Sequence, residues 1–91
     1  MSVIVRLPSQ LRVLVGGVGE VPVEATTVRD AISAVDEAYP GLASRVLDDD
    51  GALRRFVNVF VADEDVRFLA GLDTIVEPGQ TISLVPAVAG G

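Results

Sequence analysis

The chain has no cysteine, no histidine, no tryptophan and no lysine. Without cysteine it makes no disulfide, no thiolate metal site and no cysteine nucleophile. Without histidine it loses the commonest general base and the commonest metal ligand. Without lysine it forms no Schiff base and offers no side-chain amine on which a chain of copies could be built. Its basic residues are seven arginines against thirteen acids, a net charge of −6, so the broad basic face that nucleic acid demands is not expected. An acidic protein of this kind suits a basic partner surface, which would steer encounter. No apolar run approaches the ~18 residues of a membrane span. The opening MSVIVRL lacks the basic region and cleavage site of a signal peptide, so a cytoplasmic location is expected.

What is present describes one domain. Ninety-one residues, 49% of them hydrophobic, suffice for one compact core and argue against disorder. Val3, Val5 and Leu7 alternate with Ile4 and Arg6, the period of a strand. Leu11 to Val15 reads as a short helical turn, and Gly16, Gly17 and Gly19 mark a turn after it. Those glycines are no phosphate loop, because no Gly-Lys-Ser/Thr helix start comes after them. Val21 and Val23 flank Pro22, which suits an edge strand, since proline donates no ladder hydrogen bond.

Thr27 to Asp30 resembles a capping box. Val28, Ala31, Ile32, Val35 and Tyr39 then recur at helical spacing until Pro40-Gly41 stops the helix. Leu42 to Leu47 suits a second short helix. Phe56 to Val61 is the strongest strand, with Val57, Val59 and Val61 on one face. Asp63-Glu64-Asp65 reads as a turn and Val66-Arg67-Phe68 as a short strand. Glu77-Pro78-Gly79-Gln80 has proline and glycine where a type II turn wants them. Ile82 and Leu84 alternate with Thr81 and Ser83 in a last strand that Pro86 ends. One amphipathic helix over one face of a mixed sheet of four to five strands is an α+β roll. Residues 1–86 form this domain, and 87–91 are expected to project as a flexible tail.

Most candidate reactive features have a plain structural reading. Asp48-Asp49-Asp50 and Asp63-Glu64-Asp65 are oxygen-rich, but neither has the spacing of an EF-hand loop, and both read as solvated loops. The second could also dock a basic partner. Arg54 and Arg55 precede a strand and read as its solvated entrance. Phe56 and Phe60 lie opposite Val57 and Val59. They either face outward as a partner site or are covered by residues such as Leu69 and Leu72.

The tail is different. Gly90 and Gly91 lack a Cβ, so this end can thread a narrow channel in extended form. Its carboxylate is then free to attack the α-phosphate of ATP. Sulfide or a persulfide can displace AMP from the resulting acyl-adenylate and leave a thiocarboxylate. The chain itself supplies no catalytic side chain and no metal ligand in this scheme.

The ending Pro86-Ala87-Val88-Ala89-Gly90-Gly91 resembles that of the MoaD and ThiS sulfur carriers, which are ubiquitin-like β-grasp proteins. Arg55-Phe56-Val57-Asn58-Val59-Phe60-Val61, with Asp63 to Phe68 after it, is similar to the actinobacterial CysO-type branch, which serves cysteine biosynthesis. The resemblance implies a MoeB/ThiF/MoeZ-type ATP-dependent activating enzyme that adenylates Gly91, with Gly90, Ala89 and Val88 threading into partner active sites. It also implies a PLP-dependent cysteine synthase and a metal-dependent peptidase. ATP, PLP and zinc would then belong to the partners and no cofactor to this chain. Docking through the sheet face and last strand, at Phe60, Phe68 and Val85, is implied by the same resemblance. The tail is equally compatible with a molybdopterin synthase small subunit, with sulfur supply to thiamin or a secondary metabolite, and with a ubiquitin-like protein modifier.

Overall fold

The computed structural model describes residues 2–86. Five strands form one sheet: β1 (Ser2–Arg6), β2 (Glu20–Glu24), β3 (Val57–Val61), β4 (Glu64–Asp65) and β5 (Thr81–Pro86). Their order is β2-β1-β5-β3-β4, with β1 parallel to β5 and the other pairings antiparallel. The last strand therefore occupies the middle of the sheet. Pro22 sits on the outermost strand, β2, where its missing N–H is tolerated.

A short helix, α1 (Ser9–Arg12), runs on into a 3-10 turn over Val13–Val15. Helix α2 (Val28–Ala38) covers one face of the sheet. It starts where Thr27 Oγ1 accepts the Asp30 amide at 3.1 Å, satisfying an N–H that the first turn would otherwise leave unpaired. Its apolar stripe Val28, Ala31, Ile32 and Val35 is fully buried in one core with Val3, Val5, Val59, Ile82 and Leu84. Burial of each larger side chain contributes about 1.5–3 kcal/mol. Pro40 and Gly41 end the helix, and Gly41 opens α3 (Leu42–Val46) at φ 112°. The Asp36 carboxylate accepts the Gly41 and Ala43 amides at 3.0 Å each, so this acid holds the α2–α3 corner. The result is the β-grasp roll, a mixed five-stranded sheet wrapped on one main helix.

Two local expectations are corrected. The β3–β4 turn is Ala62-Asp63, not Asp63-Glu64-Asp65. Val61 pairs with Glu64, and the two residues between stand at φ 51° and 70°, the positive pair of a type I′ hairpin. Val66-Arg67-Phe68 is a 3-10 turn, not a strand. The Asp65 carboxylate accepts the Arg67 amide at 2.8 Å and caps that turn, which overrides the strand preference of valine and phenylalanine. The 77–80 turn is as expected: Gln80 N–H donates to Glu77 O at 3.0 Å, with Gly79 at φ 86°.

Candidate functional site

The expected site is the end of β5 and the residues beyond it. Gly91, Gly90, Ala89 and Val88, with the whole 87–91 segment, lie outside the described residues. Pro86, the last described residue, pairs with Val57 across β3. β5 is paired with β1 over Thr81, Ile82 and Ser83 and with β3 from Ile82 to Pro86, so the base of the tail is held from the β3 side.

The face of the sheet away from α2 carries a row that crosses all five strands. Glu20, Arg6, Ser83, Phe60 and Asp65 are successive register partners. Phe60 lies partly buried near its centre. Val85 pairs with Asn58 one step nearer the tail and is 41% exposed. Phe60 and Val85 thus share this face. Phe68 stands on the 3-10 turn beside the sheet edge and is 87% exposed, and Phe56, ahead of β3, is 63% exposed. Of the two rings expected to face outward or be covered, Phe56 faces outward and Phe60 is partly buried. Leu69 is itself exposed, and Leu72 faces the core.

Arg67 ties these elements together. Its guanidinium donates to Asn58 Oδ1 at 2.8 Å, Val57 O at 2.7 Å and Arg54 O at 3.1 Å. The turn that carries Phe68 is thereby fastened to the segment that carries Phe56. The sequence carries no signal for this role, because the acceptors lie about ten residues upstream and are mostly backbone carbonyls.

The acidic clusters have local work. Asp48 Oδ1 accepts the Asp50 and Ala52 amides at 2.9 and 3.0 Å and holds its own loop. Among the described residues no group of three or more acidic side chains converges as a metal site would require, and no helix is long and apolar enough to cross a membrane. Two shallow grooves flank the end of β5. One, of about 170 Å³, is lined by Pro8, Leu11, Val57 and Leu84 with Arg45 at its border. The other has Arg12 beside Val85 and Pro86.

A model described as the ThiS family matches residues 5–91. The chain is 42% identical over 93 residues to the sulfur carrier protein CysO of Mycobacterium tuberculosis, with 100% of each chain covered. It is similar in structure to a chain of the Amycolatopsis orientalis BexX/CysO complex, with TM-score 0.91 and 42% identity over 98% of this chain and 99% of that one. SAMP1 of Haloferax volcanii matches with TM-score 0.82 and 34% identity over 100% of each chain.

Proposed function

Because this chain belongs to the ThiS family, we propose that it is a sulfur carrier of the CysO type whose Gly91 carboxylate is activated and loaded with sulfur. The observation that carries the reading is the position of β5: a central strand, paired with β1 over its first half and with β3 as far as Pro86, whose sequence runs on into Ala87-Val88-Ala89-Gly90-Gly91. A tail anchored this way can enter a partner's active site while the domain stays folded outside.

The chemistry balances without a side chain from this protein. A Gly91 carboxylate oxygen attacks the α-phosphorus of ATP and pyrophosphate leaves. Sulfide then attacks the acyl carbon, AMP departs, and a thiocarboxylate remains. A MoeB/ThiF/MoeZ-type enzyme is the partner for these steps. In the CysO-type route the thiocarboxylate sulfur bonds to the side-chain carbon of an activated serine derivative, whose activating group leaves, on a PLP-dependent cysteine synthase. The Gly91 acyl group then passes from the cysteine sulfur to its amine to give an amide, and a metal-dependent peptidase hydrolyses that amide to release cysteine and the Gly91 carboxylate. The carrier is a co-substrate throughout, and Phe60, Phe68 and Val85 dock the partners.

The test is intact-mass measurement after incubation with ATP, sulfide and the activating enzyme. The wild type gains the mass of an oxygen-for-sulfur exchange at Gly91, and a chain lacking Gly91 gains none while melting at the same temperature. Loading that persists without Gly91 overturns the reading. The similarity to SAMP1, small archaeal modifier protein 1, favours a second reading, a protein modifier. It is separated by searching cell digests for Gly91 joined to lysines of other proteins.

A further inference from the structure

The net charge of −6 conceals an uneven distribution. Besides Arg67, already bound to Val57 O and Asn58, five of the seven arginines stand at the pole where β5 ends. Arg6 closes β1 and faces Ser83. Arg12 and Arg45 border the two grooves beside Val85 and Pro86. Arg54 donates from Nε to Ser44 O at 3.1 Å, next to Arg45. Arg55 stands two residues ahead of Val57, the partner of Pro86. Other carboxylates stand at the opposite pole. Glu24 and Asp30 share a hollow there, Asp63 and Glu64 lie on the β3–β4 hairpin, and Glu77 opens the turn before β5.

The collar is poorly neutralised from within. Glu20 is bound by Arg6 at 3.0 Å. Asp48 and Asp49 border a hollow with Arg54 on the collar's flank. Among the described residues neither Arg45 nor Arg55 has an ion-pair partner. Arg45 and Arg55 are therefore open to carboxylates brought to them, a contact that physiological salt screens beyond about 8 Å. Arginine is the cation suited to such a contact, because its planar, weakly hydrated head binds carboxylate bidentately.

On the carrier reading above, we propose that this arginine collar docks a protein partner whose tail-accepting channel is rimmed with carboxylates. The collar reverses the expectation, drawn from net charge, of a basic partner surface. With Glu24, Asp30, Asp63, Glu64 and Glu77 at the far pole and Arg45 and Arg55 unpaired at this one, it also favours a tail-first approach, since a separated charge distribution steers diffusional encounter.

The experiment measures Gly91 loading by a ThiF-type activating enzyme from the same organism, for the wild type, Arg45→Glu and Arg29→Glu. The two variants change charge equally, but Arg29 lies away from the collar, paired with Asp73. Thermal melts establish that each is folded. For Arg45→Glu, kcat/KM for the carrier falls roughly 10-fold at low salt, as expected when steering and complementarity are lost. Its kcat stays within about two-fold, and the gap to wild type narrows as salt rises through about 0.3 M. Arg29→Glu stays within about two-fold of wild type throughout, on the same screening argument. Equal loading by Arg45→Glu and wild type, or faster loading by Arg45→Glu, overturns the collar and leaves the carrier reading standing. A rise in KM for ATP with none for the carrier overturns it in favour of a nucleotide contact. Absence of loading in every protein, wild type included, overturns both.

Discussion

Ala62 holds a backbone conformation that its side chain disfavours. At φ 51° it is the first central residue of the β3–β4 turn, ahead of Asp63 at φ 70°. Aspartate tolerates the left-handed region, and alanine does so at a cost of about 1–2 kcal/mol from its Cβ. Ala62→Gly relieves that contact and gives back part of the gain through a more flexible unfolded chain. We expect a net stabilisation of about 0.5–1 kcal/mol. That raises the melting midpoint by a few degrees, since ~1 kcal/mol corresponds to ~4–8 °C in a domain of this size. Ala62→Val, with a β-branched side chain in the same conformation, lowers it. Calorimetry of the three proteins checks the order, and a glycine variant that melts below wild type contradicts it. The same alanine hides the hairpin in the sequence. It carries no turn signal, so the acidic Asp63-Glu64-Asp65 draws the expected turn one residue too far.

At the scale of elements, the legible parts are those set by neighbours in sequence. The alternation of Val3, Val5 and Leu7 marks β1. Thr27 and the 28-31-32-35 spacing mark α2, and Pro78-Gly79 marks the turn before β5. The illegible parts depend on contacts across the fold. Val66-Arg67-Phe68 has a strand composition but is wound by the Asp65 cap and by three acceptors that Arg67 reaches on the β3 side. The collar is hidden for the same reason. Arg6, Arg12, Arg45 and Arg55 are distant in sequence, and only the crossover that sets β5 between β1 and β3 brings them to one pole. Arg67→Ala should release the 3-10 turn and leave the core intact. We expect a loss of about 1–2 kcal/mol, because hydrogen bonds from a charged donor contribute ~1.5–3 kcal/mol when sheltered and less where, as here, the group is exposed. Hydrogen exchange checks it: amides of 66–70 lose protection while those of β1 and β5 keep theirs.

The whole molecule is organised along one axis, with β1 entering at the acidic pole and β5 leaving at the basic one. These two strands are adjacent and parallel, joined at Ile4↔Thr81, Val5↔Ile82 and Arg6↔Ser83. Traction applied to the two chain ends drags them past one another along their length, so the inter-strand bonds must break together. A handle at position 56 acts differently. It lies just before Val57, opposite Pro86, and a pull between it and the carboxyl end peels β3 from β5 one pair at a time. The chain has no cysteine of its own, so Phe56→Cys supplies a unique attachment point. Single-molecule extension should then show a much higher rupture force from the two termini than from position 56 and the carboxyl end, because forced unfolding reports the barrier along the imposed path. Equal forces would contradict the shear geometry. A machine that pulled the carboxyl end against the amino end would have to drag out a strand laced into the middle of the sheet, so on the carrier reading the end offered to partners is also guarded against being used to dismantle the fold.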